Sequence, residues 1–261
     1  MTLAHLKRGR CPTLEKPMET GDGLLVRFMP PGGMLSAADV RAVASLALAH
    51  GNGLVDLTRF GNLQLRGVTP QSYGKLHTAL LALGMEAPSR NAEHIIPSDA
   101  TPLGLPFGRA DAATLVAIAE LAEQHGNGTV LLGRSREIFV CGVREVDAVL
   151  KVADALELIT RARDSRRMVQ ACPGAPACAQ AEGQTRALAL AIAGALPNLC
   201  HEIHVSGCAK GCACPRSTGA VVTARDGVYD IAFNAQAGDV PAMELLSADA
   251  VVAVLAAGKR V

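Results

Sequence analysis

Of the eight cysteines in this chain, four fall as two pairs. Cys172 and Cys178 are separated by five residues in ACPGAPAC, and Cys208 and Cys212 by three in SGCAKGC. Paired thiolates on two converging loops can hold an iron–sulfur cluster, because each iron of a cubane takes one soft, deprotonated sulfur. Structural zinc prefers about two to four residues inside each pair, and the first pair exceeds that window. Disulfides need an oxidising compartment, and MTLAHLKRGRCPTLEKP lacks the apolar core of a signal peptide. The spacing therefore favours a cluster, with zinc or merely structural thiols as the alternatives. Pro173, Gly174, Pro176, Gly207 and Gly211 lie among the ligands and suit tight loops whose N–H groups turn towards sulfur.

Other chemistry-bearing residues have plainer explanations. Cys11, Cys141, Cys200 and Cys214 lie outside the pattern. One residue separates Cys214 from Cys212, so joint ligation of the same cubane would be strained. His201 and His204 lie along a strand leading to Cys208; ordinary polar strand positions are favoured over a non-haem iron site. His50 and His125 each precede Gly-Asn-Gly, where a helix C-terminus favours a basic side chain.

The cysteine loops need elements to hold them. Met168–Ala171 reads as the strand delivering Cys172, and Glu202–Ser206 as the strand delivering Cys208. Ala177–Leu196 is Ala/Leu-rich with helical spacing. Val221–Ala224 and Val228–Phe233 flank Arg225-Asp226-Gly227, a hairpin signal, and a last helix is expected over Ser247–Ala257.

The N-terminal part carries a repeat. SAADVRAVASLALAHGNG (36–53) aligns without gaps on DAATLVAIAELAEQHGNG (111–128), a constant shift of 75 residues. His-Gly-Asn-Gly is identical in the two, and Gly67-Val68 matches Gly142-Val143. This is the mark of a duplicated strand–helix–strand–strand–helix module. In the first copy the elements read as a strand over Leu24–Phe28, a helix capped by Ser36 with Asp39 at the capping-box position, strands over Leu54–Thr58 and Leu63–Val68, and a helix over Pro70–Leu83. Two such halves joined edge to edge predict an α+β body with helices on one face of an antiparallel sheet. Asn91–Arg109, rich in Pro and Gly, reads as the connector. The expected division is 1–90 and 91–160 for the two ferredoxin-like halves and 161–261 for the cluster domain.

Composition narrows the partners. A net charge of +1 gives no basic field for nucleic acid, and 3% aromatic residues with no Trp leave no base-stacking platform. The apolar stretches are short and Gly-interrupted, which argues against a membrane span. A reducing cytoplasm is the expected location.

These motifs resemble the sirohaem sulfite/nitrite reductase superfamily and, within it, the precorrin-3B synthase family of aerobic cobalamin biosynthesis. ACPGAPACAQA with HVSGCAKGCACP resembles the cluster motif. GDGLLVRFMPPGGMLSAADVR and GNGLVDLTRFGNLQLRGV resemble the ferredoxin-reductase-like half. The resemblance implies a [4Fe–4S] cluster on Cys172, Cys178, Cys208 and Cys212, with Cys212 where the reductases bridge to haem-type sirohaem iron. It implies an O2-dependent monooxygenase that oxygenates precorrin-3A at C20 and closes a γ-lactone, using reducing equivalents from an electron donor such as NADH. Non-haem iron and sirohaem are the other cofactors in view. A small sirohaem-dependent sulfite or nitrite reductase, or a non-catalytic tetrapyrrole-binding relative, is the alternative.

Precorrins carry a belt of carboxylates, which guanidinium forks recognise bidentately. Arg59, Arg66, Arg134, Arg136 and Lys210 are the expected carboxylate partners, and Asn62 and Gln64 the polar binding residues beside them. No residue emerges as a catalytic acid, base or nucleophile. Two departures from the family pattern stand out. Arg59 lies five residues before Gln64 instead of four, so strand alternation would turn it to the wrong face unless the turn is bulged. The family also places a further domain between the repeats, where this chain has about twenty connector residues; a homodimer could supply the missing wall.

Overall fold

The helix caps read from the sequence are formed in the computed structural model, which describes residues 11–90 and 94–258. Ser36 Oγ accepts from the Asp39 N–H while Asp39 Oδ2 accepts from the Ser36 N–H, both at 3.1 Å, a reciprocal capping box. Thr69 and Ser72 repeat the device one helix later, with Pro70 in the first turn. Asp111 caps the equivalent helix of the second repeat through the Thr114 N–H at 2.8 Å.

Among the described residues the chain divides into a repeat unit, 11–19 with 23–160, and a cysteine unit, 20–22 with 161–258. Strands β1 (Met18–Thr20), β2 (Gly23–Phe28) and β3 (Met34–Ser36) lead into helix α1 (Ala37–His50). Strands β4 (Leu54–Leu57) and β5 (Leu63–Val68) and helix α2 (Pro70–Ala82) complete the first copy. The second copy runs β6 (Thr101–Gly104), β7 (Arg109–Asp111), α3 (Ala112–His125), β8 (Thr129–Leu132), β9 (Glu137–Val140) and α4 (Val146–Ala155).

The expected edge-to-edge sheet is replaced by a strand exchange. One sheet has the order β1-β2-β5-β4-β7 and the other β3-β8-β9-β6. Thus β3 leaves its own copy to pair with β8 (Leu35 opposite Val130), and β7 reciprocates on β4 (Val55 opposite Ala110). The two strands are related by the repeat shift of 75, as are the turns before them, Pro31–Gly33 and Pro106–Gly108. Part of the Asn91–Arg109 stretch expected as connector is therefore β6 and a turn of the second copy. One core serves both halves: Val40, Val43 and Ala47 of α1 join Ile118, Ala119 and Ala122 of α3 in the same apolar cluster as Val55, Leu65, Val130 and Val140.

The residues identical between the copies have a shared structural task. Gly67 and Gly142 lie at φ +68° and +69°, and a Cβ on either would fall 2.6–2.7 Å from the Cβ of Asn52 or Asn127. The Asn52 N–H donates to the Arg66 carbonyl, and the Asn127 N–H to the Cys141 carbonyl, both at 2.9 Å. His-Gly-Asn-Gly and Gly-Val are thus the two sides of one tight crossing, made once per repeat. His50 and His125 occupy the last turns of α1 and α3, which accounts for both without chemistry.

The cysteine unit is a mixed sheet. Strand β10 (Val169–Ala171), helix α5 (Arg186–Ala195) and strands β11 (Ile203–Ser206), β12 (Thr218–Arg225), β13 (Val228–Ala235) and β14 (Met243–Leu246) precede helix α6 (Ala248–Ala256). The sheet order is β10-β11-β12-β13-β14, with β10, β11 and β12 parallel and the rest antiparallel. Asp226-Gly227 joins β12 to β13 with positive φ at both residues, the two-residue hairpin the sequence signalled. The helix expected over Ala177–Leu196 begins only at Arg186, because residues 177–185 are committed to the cysteine site. Among the described residues no helix is long and apolar enough to cross a membrane.

Candidate functional site

Strand β10 ends at Ala171 and strand β11 at Ser206, so Cys172 and Gly207 leave adjacent parallel strands side by side. The Gly207 N–H donates to Cys172 Sγ at 3.2 Å, and a Cβ on Gly207 would lie 2.7 Å from that of Ala181. Only glycine lets this backbone approach both the sulfur and the opposite loop. The loops are laced further by the Glu182 N–H to the Gly207 carbonyl (2.7 Å) and by Lys210 Nζ to Gln180 Oε1 (3.2 Å). Beneath them, the buried Thr185 hydroxyl donates to the Cys172 carbonyl at 2.6 Å. The Cys178 N–H donates to the Gly174 carbonyl at 2.8 Å, and Gly174 itself lies at φ +70°.

Cys172 is buried, Cys178 and Cys208 are half-buried, and Cys212 is exposed. Burial pushes the Cys208 thiol above its ordinary pKa; the Lys210 N–H opposes this, and Cys212, Cys172 and Cys178 add to it. Each of the other three thiols thus acts electrostatically on Cys208. A bound cation would relieve the Cys208 thiol, since a metal-coordinating thiol is deprotonated outright. Soft sulfur donors, N–H groups aimed at sulfur and glycines at the closest approaches suit an iron–sulfur cluster. Among the described residues no three His, Cys, Asp or Glu side chains stand close enough to grip a single ion. Cys214 is buried with its Sγ 4.0 Å from the Arg216 carbonyl, and His204 is fully buried on β11. His201 packs against Gly219, with Cys200 beside it.

In the repeat unit, four side chains stand in register across one sheet. Arg27 is opposite Gln64, Gln64 opposite Asp56, and Asp56 opposite Arg109. Arg27 Nε donates to Gln64 Oε1 at 2.7 Å, and Arg109 Nε to Asp56 Oδ1 at 2.8 Å. Arg66, only 2% exposed, donates to Asp56 Oδ2 at 3.4 Å. Its charge is balanced inside the unit. Alternation around Gln64 is present, but Leu63 through Arg66 are all buried, so neither face of β5 is open there. Asn62 is also buried and ties down the chain after α2, exchanging hydrogen bonds with the Ser89 backbone at 2.7 and 2.9 Å. Arg27, Asp56 and Arg109 escaped the sequence reading, although charges spaced within apolar strands (LLVRF, LVDL) are a visible signal. At the end of this row Cys11 meets Arg90, with Sγ 2.8 Å from a guanidinium nitrogen. Burial tends to raise the Cys11 pKa, but Arg90 and Arg27 together hold it below its ordinary value.

Arg59 is not on a strand. The Thr58 N–H donates to the Asn62 carbonyl and the Gly61 N–H to the Thr58 carbonyl, so residues 58–62 form a turn with Gly61 at φ +76°. The extra residue before Gln64 is absorbed there, and the alternation argument does not apply. The turn lies against its counterpart from the second copy. The Ser135 N–H donates to the Arg59 carbonyl at 3.1 Å. The guanidinium carbons of Arg59 and Arg134 lie 4.8 and 5.7 Å from the centre of the Phe60 ring. These two arginines occupy equivalent positions in the repeats, are exposed, and have no acidic partner among the described residues. Arg136 follows at φ +67°, its side-chain carbons packed over Gly108.

The family model "Nitrite/Sulfite reductase ferredoxin-like half domain" matches residues 16–83 and 101–157, one match for each copy. A Sinorhizobium protein named precorrin-3B synthase is 47% identical over 79 residues, which are 30% of this chain and 17% of that protein. The match thus spans about a sixth of the curated relative's length. The structure of Mycobacterium tuberculosis NirA superposes with a TM-score of 0.71 over 89% of this chain and 79% of NirA, at 12% identity. That likeness concerns the fold. Residues 16–83 and 101–157 are thus two nitrite/sulfite reductase ferredoxin-like half domains, joined by residues 84–100 and carried by an α+β chain that shares the NirA fold.

Proposed function

We propose that the protein is an iron–sulfur oxidoreductase of the precorrin-3B synthase type, converting precorrin-3A to precorrin-3B. One atom of O2 enters at C20 and a γ-lactone closes, while the other leaves as water with an electron pair from an external donor such as NADH. The observation that carries this reading is the interlacing of two loops that follow adjacent parallel strands, one bearing Cys172 and Cys178 and the other Cys208 and Cys212. The relative named precorrin-3B synthase supports the choice of tetrapyrrole. A cluster on these sulfurs would supply electrons to the reaction.

The chain's own residues do the rest. The Gly207 N–H stabilises charge on Cys172, and the Lys210 N–H does the same for Cys208. Arg59 and Arg134, two like charges sharing one aromatic ring without an acid between them, bind substrate carboxylates, with Arg136 in a supporting role. Asn62, Gln64 and Arg66 serve by holding that framework. A second copy of the chain completes the enclosure of the substrate; a monomer in light scattering that still turned over precorrin-3A would exclude this.

The test is anaerobic purification followed by iron and sulfide analysis, a visible spectrum, and incubation with precorrin-3A with and without O2. About four irons per chain, a broad shoulder, and product only in the aerobic sample are expected. Intense sirohaem bands with sulfite- or nitrite-dependent electron uptake would replace the synthase with a reductase. A cluster without turnover would leave an electron carrier or a tetrapyrrole-binding protein.

A further inference from the structure

The cysteine unit contains a segment that lies about 150 residues from its cysteines in sequence, the turn Thr20–Asp22. Gly21 at its centre lies flat on the first cysteine loop. A Cβ there would stand 2.1 Å from the Pro176 carbonyl oxygen, 3.0 Å from the Ala179 nitrogen and 3.2 Å from the Cys178 carbonyl carbon. All three are backbone atoms, which cannot swing aside as a flexible side chain would. The glycine is not required by its own conformation, since Gly21 is not among the residues with positive φ. Close approach alone excludes a side chain. The turn carries its own brace, Thr20 Oγ1 donating to Asp22 Oδ1 at 2.8 Å.

We infer that Gly21 is a positioning residue for Cys178. The loop from Cys172 to Thr185 is held on one side by strands β10 and β11 and from below by Thr185, which fixes Cys172. Cys178 lies at the outer bend of that loop, where the Cys178 N–H to Gly174 and the Ala181 N–H to the Cys178 carbonyl are contacts internal to the loop. The turn Thr20–Asp22 supplies an outer wall. It sets where the second sulfur of the first pair stands, and the other three sulfurs do not depend on it. The inference rests on the proposal that these cysteines hold a cluster, and it extends the site to a part of the chain with no cysteine ligand in it.

The experiment compares wild type, Gly21→Ala, Thr20→Val and the control Gly194→Ala, whose added methyl meets nothing within 4 Å on α5. In the apoprotein, the alkylation of each cysteine by iodoacetamide is followed by mass spectrometry at fixed pH. Gly21→Ala should speed modification of Cys178 by about tenfold through more frequent local opening, with Cys172 and Cys208 unchanged. Thr20→Val adds no bulk and should give a smaller change in the same direction, which keeps the test open if Gly21→Ala does not fold. In the reconstituted protein, Gly21→Ala should release iron to a chelator faster and alter the EPR spectrum of the reduced cluster, while Gly194→Ala behaves as wild type. Equal Cys178 reactivity in all four proteins, or equal acceleration at every cysteine, would overturn the inference. If wild type assembles no cluster, the proposed function fails; the alkylation pattern still decides the role of Gly21.

Discussion

At the scale of single residues, the arginines separate by what balances them. Arg66 is buried against Asp56, and Arg109 shares the same carboxylate. Arg66→Ala would leave part of a buried ion network unpaired, costing about 3–5 kcal/mol of stability and visible as a lower urea midpoint. Arg59 and Arg134 are exposed and have only Phe60 between them. Arg59→Ala and Arg134→Ala should each leave the urea midpoint within about 0.5 kcal/mol of wild type. Each should weaken precorrin-3A binding by roughly 1.5–3 kcal/mol in a titration, the worth of a charged hydrogen bond. Among the thiols, serine at Cys172, Cys178, Cys208 or Cys212 should abolish stable cluster binding, measured as iron and sulfide per chain, whereas serine at Cys214 or Cys141 should not. Sequence spacing pairs these four cysteines, and the structure adds that the two pairs lie on interlaced loops. Spacing was not enough for the arginines, because a strand residue's partner is set by cross-strand register, which only the pairing of β4, β5 and β7 reveals.

At the scale of elements, local chemistry was legible where it is local. Ser36 and Asp39, Pro70, and Asp226-Gly227 each fix a cap or a turn through neighbours within four residues, and each is formed. Residues 177–185 misled because Ala, Gln and Glu carry helix propensity, while the loop there is governed by Gly174, Gly183 and distant contacts such as the Gly227 N–H to the Glu182 carbonyl. The cap at Asp111 allows a pH test. The Thr114 N–H, more than any other contact, holds the Asp111 carboxyl below its ordinary pKa. A depressed folded-state pKa contributes stability above the unfolded-state value, about 3.9, and loses it as pH falls through the folded-state value. The stability difference between wild type and Asp111→Asn should therefore shrink below about pH 4 in acid titrations of the folded fraction. Asp111→Ala should cost about 1 kcal/mol at neutral pH through loss of the cap.

At the scale of the whole molecule, the duplication was legible and the exchange of strands was not. The shift of 75 could have been extended to Pro31-Gly32-Gly33 and Pro106-Phe107-Gly108, whose outer residues are identical. Three-residue strands carry too little periodicity to reveal which sheet they join. Because β3 and β7 are traded, the two copies should unfold together. The chain has no Trp and two Tyr, Tyr73 in the repeat unit and Tyr229 in the cysteine unit, so single-tyrosine variants can report each unit alone. Gly67→Ala and Gly142→Ala should each destabilise the Tyr73-reported transition by about 1–3 kcal/mol, since both lie at positive φ against an asparagine. Two separate transitions for the copies would contradict a shared core.

Reciprocal lending of strands makes the duplication irreversible: neither copy can be shed without opening a gap in the other's sheet. Evolutionary change in chain length is thereby steered away from the traded strands and towards residues 84–100, which lie between the last helix of one copy and the first strand of the next. A module spliced in beyond the Met29–Glu86 bridge and the Asn62–Ser89 contacts leaves every rung of both ladders intact. The same scaffold can therefore exist in long and short editions.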